Sequence, residues 1–461
     1  MPTVEQFELR HARPKLRGAS LSGPVAAWQL AVGWLLLLPM LYIAANGILV
    51  PRTGDVSFAA TGEDPASPAS HKIGVAVICL ICFTLIFFHF SDVLALSRRV
   101  KLVLAFPVLA ILSAAWSADP RQSLVSGGII LVFTLFAIYV ATQFSLQKQF
   151  ELIMLVGAVA LPVSIALAVF VPSLGKDALA WRGIFGHKQN CSAVCTLWLV
   201  TALHWHTSGV YQRIFRAIYV FMCFTLIVMS QSRTGWALTL VALFLSAALW
   251  SLQKMPATNA LAFLMLALPV LAAALYVIHM FAPSLLASVG KDSTLSQRTI
   301  IWSAAWGAIS QHPILGYGFA AFWRGLYGPS QAIVLVAGWG LAQAQDGFLD
   351  VWLGLGVLGV GLVALVTGQA MRNAVRTFYS NDNHSYVRWC IVVIVCTLLY
   401  NIGESAIGLF NMTWFLFILA SIGLGQAAMK KIESRAPGVY CAALNNLAFP
   451  RRKELVLKGG K

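Results

Sequence analysis

Apolar runs long enough to cross a bilayer, roughly 17–25 residues each, recur along this chain from residue 26 to residue 428, and nothing constrains its fold more. In hydrocarbon every backbone N–H and C=O must find its partner inside the protein, so runs of this length are helices that cross and return. Charged residues make up only 10% of the chain, against about 25% in soluble domains. The sequence therefore predicts an all-α, polytopic integral membrane protein with about 12 transmembrane helices. The spans fall near 26–48, 73–90, 102–117, 124–143, 152–172, 191–207, 214–230, 235–252, 260–281, 347–370, 387–402 and 409–428. They divide the chain into an N-terminal tail (1–25), spans one to nine (26–281), a large loop (282–346), spans ten to twelve (347–428) and a C-terminal tail (429–461).

A net charge of +16 invites a nucleic-acid partner, and its distribution argues against one. With both tails cytoplasmic, alternate inter-span segments on that side hold roughly two thirds of the Lys and Arg residues. That is the positive-inside bias, so topology accounts for the surplus and no nucleic acid is expected. The first apolar run is long enough to span and lacks a small-residue cleavage pattern, so it reads as an anchor and not as a removed signal. Most of the eight cysteines lie in apolar runs. Cys79 and Cys82 lack a second pair and polar flanks, and read as small packing residues and not as a zinc site. Pro39 and Pro107 sit within spans and predict kinks.

The loops expected on the far side carry the chemistry. Residues 173–190 include Trp181-Arg182-Gly183-Ile184-Phe185-Gly186-His187-Lys188. Cations there run against the positive-inside bias, glycines let backbone approach a ligand closely, and a helix start offers free amides to an anion. Ser230-Gln231-Ser232-Arg233-Thr234-Gly235 pins Arg233 in a tight turn between two spans. A guanidinium at that depth needs a partner, either a distant acid such as Glu404 or a bound anion. In the large loop, Leu295, Thr299, Trp302, Trp306 and Ile309 recur at helical spacing, predicting an amphipathic helix over 293–311 that carries Arg298 in its first turns. His312-Pro313 ends that helix and Gly316 and Gly318 follow. Asp346 and Asp350 share one face at the start of span ten, where a helix N-terminus favours negative charge. Gly354, Gly356, Gly359 and Gly361 then predict close helix packing, and Glu404 lies in the last outer turn.

Three guanidiniums from separate outer turns, with no acidic cluster, suit a dianionic ligand at the membrane surface, because the planar fork binds two phosphate oxygens at once. No Asp-x-Asp, His-x-x-x-His or Glu-rich helix is present, so no metal and no cofactor is expected.

These segments resemble the O-antigen ligase and polymerase superfamily, in the stretches 181–188, 230–235, Ser296-Gln297-Arg298, His312-Pro313-Ile314-Leu315-Gly316-Tyr317-Gly318 and Asp346-Gly347-Phe348-Leu349-Asp350. Within it the pattern is most similar to ExoQ-type exopolysaccharide polymerases. The resemblance covers about residues 75–425. It implies a bacterial inner-membrane, GT-C-like, metal-independent glycosyltransferase with a large periplasmic loop. The substrate it implies is an undecaprenyl-pyrophosphate-linked oligosaccharide and the acceptor a hydroxyl, with inversion. Further expected partners are the growing polysaccharide chain, the lipid bilayer, a chain-length regulator and export proteins. Arg182, Arg233 and Arg298 match the family arginines thought to hold the pyrophosphate. Lys188, His312 and Glu404 are further candidate substrate-binding residues of this chain. The family usually has His-Asn where this chain has Gln345-Asp346, and the histidine is its candidate base. A glutamine cannot take a proton, so Asp346, His187 or His312 substitutes, or activity is altered. The rival readings are a ligase moving finished glycan to lipid A core or another acceptor, a flippase of lipid-linked sugars, and an inactive relative. A flippase would be expected to show mid-span charges and inverted repeats.

Overall fold

A computed structural model describes residues 27–45, 69–255, 296–337, 341–379 and 384–435, with isolated helical positions between 259 and 276. The first helices are α1 (Ala27–Ala44), α2 (Ala69–Phe88), α3 (Phe90–Ser97), α4 (Lys101–Leu112), α5 (Pro120–Gln143) and α6 (Leu146–Phe170). A helical turn, α7 (Pro172–Gly175), leads into a short antiparallel hairpin of β1 (Lys176–Asp177) and β2 (Ala180–Trp181). There follow α8 (Lys188–His204), α9 (Val210–Met229), α10 (Arg233–Lys254), α11 (Ser296–Gln311), α12 (Gln331–Ala337), α13 (Gly347–Phe378), α14 (His384–Tyr400) and α15 (Met412–Arg435).

Local chemistry sets several starts. Asp119 caps α5 by accepting from Gln122 N at 3.0 Å, with Pro120 at the first helical position. Ser232 caps α10 through Gly235 N at 3.1 Å. Asp346 caps α13 through Phe348 N and Leu349 N at 2.9 and 3.0 Å. Each side-chain oxygen satisfies amides that a helix start leaves without partners.

Among the described residues six helices are long and apolar enough to cross a membrane: α5, α6, α9, α10, α13 and the Met412–Met429 part of α15. The pair α2 and α3 makes a seventh if counted as one span, but it bends by 90° at His89. The remaining expected spans correspond to α1, α4, α8 and α14 or, for 260–281, lie almost wholly outside the described residues. The tails and residues 282–295 of the large loop also lie outside them. α15 forms the centre of the bundle, buried at every position from Met412 to Leu424. Around it stand Trp389, Cys390 and Val393 of α14, Phe133 and Phe136 of α5, and Trp198 of α8.

Two expectations need correction. The spacing of glycines in span ten predicts helix-on-helix packing, yet Gly356 takes φ 63° and breaks α13. The break is filled by the Pro313–Gly318 backbone. Tyr317 N donates to Leu353 O at 2.8 Å, Gly318 N to Gly354 O at 2.9 Å, and Val357 N to Pro313 O at 2.9 Å. Groups that a broken helix would strand in an apolar setting are thus satisfied by protein. A Cβ at 356 would stand 2.0 Å from Ile314 O, whereas one at Gly361 would meet nothing within 4 Å. The second correction concerns α11. Its buried stripe is Ile301, Ala305 and Ile309, packed with Phe322, Ile333, Leu341 and Leu353. Thr299 and Trp306 of the expected stripe are exposed. One step around a helix moves a residue by about 100°, and small Ala305 carries little weight in a hydrophobic pattern.

The 315–324 segment also straps onto the turn before α5. Ser113 Oγ accepts from Phe319 N at 2.9 Å, Trp116 Nε1 donates to Leu315 O at 2.9 Å, and Arg324 Nη2 lies 3.0 Å from Asp119 Oδ2. The turns expected to share one side of the membrane therefore meet at one end of the bundle.

Candidate active site

At that end, the starts of α8 and α10 lie side by side. A Cβ on Gly235 would be 2.1 Å from Ser192 Oγ, and Thr196 Oγ1 hydrogen-bonds Thr239 Oγ1 at 2.7 Å. Two contacts one turn apart along each helix set the pair parallel and in register. Arg233 heads α10 just after Gln231, which holds a left-handed φ of 48°. Its side chain is half-buried and makes no hydrogen bond or ion pair with another described residue.

Arg298, in the first turn of α11, is bound on two sides. Its Nε donates to Gln345 Oε1 at 2.8 Å, and its Nη2 donates to Glu404 Oε1 at 2.9 Å as an ion pair. A Cβ on Gly403 would lie 3.4 Å from Arg298 Nη1 and 4.0 Å from Thr234 Cγ2, so the Arg298 fork and the Arg233-Thr234 turn flank the same glycine. Gln345 itself adopts φ 56°, an uncommon conformation for a residue with a side chain. Gly347 N donates to Asn401 O at 2.8 Å and Glu404 O at 3.1 Å, fastening the start of α13 to the last outer turn. Glu404 is thus Arg298's partner and not Arg233's.

Burial pushes the Glu404 carboxyl above its ordinary range, with Arg298 and then Lys188 pulling it back. Lys188, the first residue of α8, therefore lies within electrostatic reach of this cluster. Asp346 is also raised, by burial, against the lowering effect of the Leu349 and Phe348 amides. A carboxylate moved towards working pH is a better proton acceptor than an exposed one.

Other expected residues stand apart or serve elsewhere. Arg182 is held inside its own loop, Nη1 3.2 Å from Asp177 Oδ1 and Nε donating to Leu174 O at 3.1 Å. The three arginines are therefore not equivalent, since two carry carboxylate partners. His187 is exposed at the start of α8 and does not cap it. His312 lies just beyond α11, at the opposite end from Arg298 and roughly 20 Å away at 1.5 Å per residue, with its ring 4.5 Å from Tyr317.

Sequence reasoning passed over Asp177, although an acid five positions before Arg182 in a short loop is a ready partner. It also read Asp350 only as a dipole complement. The Asp350 Oδ1 accepts from Trp323 Nε1 at 2.7 Å and Ala344 N at 2.9 Å, and Oδ2 accepts from Ser405 Oγ. That carboxylate latches the large loop and the last outer turn to α13. No pattern in one dimension pairs these residues.

The fold and rim define a multi-span helical membrane protein with a polar, cation-bearing site at one end of its bundle. Residues 218–366, about a third of the chain, match the family model described as O-antigen ligase, which supports the resemblance to the O-antigen ligase and polymerase superfamily. The matched stretch contains Arg233, Arg298, Gln345 and Asp346, and leaves Arg182, His187, Lys188 and Glu404 outside it. No curated protein matches the chain.

Proposed function

We propose that this protein is a metal-independent glycosyltransferase that polymerises undecaprenyl-pyrophosphate-linked oligosaccharide repeat units at the periplasmic face of the bacterial inner membrane, with both termini cytoplasmic. The observation that carries the reading is Arg233, a half-buried guanidinium between two membrane helices with no carboxylate among the described residues, beside the Arg298–Gln345–Glu404 cluster. Such a group is costly unless an anion joins it. In the reaction the acceptor hydroxyl oxygen bonds to the anomeric carbon. The carbon–oxygen bond to pyrophosphate breaks, and the lipid pyrophosphate departs with the bonding electrons. Arg233 stabilises the charge that develops on it. Arg298 borders the same site, oriented by Glu404 and Gln345, and Lys188 adds positive charge. The hydroxyl proton passes to Asp346, the carboxylate nearest the position where family members carry histidine; Gln345 positions and takes no proton.

The family match, described as a ligase, favours one second reading: transfer of finished glycan to lipid A core or another acceptor. Chain-length regulator and export proteins are partners of the first reading.

The test is chromosomal replacement by Arg233→Ala, followed by sizing of surface glycan and lipid-linked intermediates at matched protein abundance. Losing a transition-state charge donor costs about 10²–10³ in rate, so long-chain product should vanish. Accumulated single repeats mean polymerase, and polymer left on its lipid carrier means ligase. Repeats trapped on the cytoplasmic face, or normal polymer, would overturn the proposal.

A further inference from the structure

The first turn of α8 holds a donor that this mechanism has not used. Asn190 is 9% exposed, and its buried Nδ2 has no hydrogen-bond partner among the described residues. A buried amide without a partner is expensive and rare, and it calls for an explanation such as a bound group. Asn190 stands in the first turn of α8, at the rim end of that helix, and side chains on a helix lean towards its N-terminus. The N-cap residue of α8, His187, makes no side-chain capping bond. The register given by Ser192 with Gly235 and Thr196 with Thr239 sets Asn190 level with Arg233 on the neighbouring helix. Two parallel helix N-termini, each a partial positive charge, thus open side by side. Arg233 heads one, and Lys188 and Asn190 lie in the first turn of the other.

We infer that Asn190 is a substrate-binding residue whose carboxamide, with the adjoining N-termini of α8 and α10, receives a phosphate oxygen of the lipid pyrophosphate gripped by Arg233. This rests on the pyrophosphate reading above and adds a second, neutral donor to it. Arg233 supplies charge; Asn190 supplies a fixed direction, distinguishing a diphosphate that reaches both helix starts from a monophosphate that reaches one.

The test uses the full-length protein in detergent micelles, with farnesyl pyrophosphate, farnesyl monophosphate and farnesol as probes in equilibrium binding. Wild type should bind the pyrophosphate more tightly than the monophosphate, and farnesol weakest. Asn190→Leu should lose about tenfold or more in pyrophosphate affinity, as expected for one hydrogen bond to a charged group. Asn190→Asp, of nearly the same shape, should lose more by like-charge repulsion. Farnesol binding should be unchanged in both variants, which a folding defect would not allow. If both Asn190 variants match wild type while Arg233→Ala loses pyrophosphate binding, the Asn190 inference is wrong and the arginine reading stands. If Arg233→Ala also matches wild type, or wild type does not prefer the pyrophosphate, both fall.

Discussion

Arg298 can be a catalytic cation, or a clasp that ties α11 to Gln345 and to the last outer turn, and a double-mutant cycle separates the two. The pair with Glu404 is mostly buried, with side-chain exposures of 22% and 10%. Removing one member of a buried ion pair leaves the other charge uncompensated and costs about 3–5 kcal/mol. Replacing both by apolar groups of similar volume is often neutral or stabilising. The upward shift of Glu404 points the same way, because burial outweighs the attraction of Arg298. Arg298→Met should therefore lower the melting temperature markedly, and Arg298→Met with Glu404→Leu should recover most of it. Glycan assembly should stay absent in both, because the positive fork beside the Arg233-Thr234 turn is gone. The measurements are thermal unfolding of the purified protein and polymer sizing at matched abundance. Polymer restored together with stability in the double variant would make Arg298 a clasp only, and the reasoning would fail.

Other consequences follow from the same geometry. The Glu404 carboxyl, raised by burial, takes up its proton at higher pH than an exposed glutamate. The folded state then binds more protons than the unfolded chain, so the cost of the buried carboxylate is relieved as pH falls through the folded pKa. Glu404→Gln leaves Arg298 without its counter-charge and should lower stability at neutral pH by about 3–5 kcal/mol. It should also remove the part of the pH dependence of stability that Glu404 contributes; an unchanged pH dependence of unfolding would assign it to another group. Asp346→Asn keeps a good helix cap while removing the base, so abundance should hold and rate should fall about 10²–10⁴-fold. Activity retained there but lost in His187→Ala would move the base to His187. Gly356→Ala meets Ile314 O at 2.0 Å and a left-handed φ, which alone costs about 1–2 kcal/mol. It should abolish stable protein, whereas Gly361→Ala, with open space around it, should accumulate normally; equal yields would contradict the filled break.

Much of this molecule was legible along the chain. Hydrocarbon leaves a backbone few options, so apolar run length alone determined a helical, multi-span protein, and Asp346 stood at an expected helix start, where its carboxylate accepts from the Leu349 amide. The residues of the rim were also readable as polar groups at the ends of apolar runs. What tertiary structure alone decided was pairing. Arg298 meets Gln345 and Glu404 across separations of 47 and 106 residues, Arg182 is neutralised by Asp177, and Arg233 is left without a described acid. Gly356 became a break because the Pro313–Gly318 backbone arrives from another part of the chain to satisfy it. Charge, burial and strain at a site depend on which distant turns come to one end of the bundle, and periodicity along one dimension carries no information about that meeting.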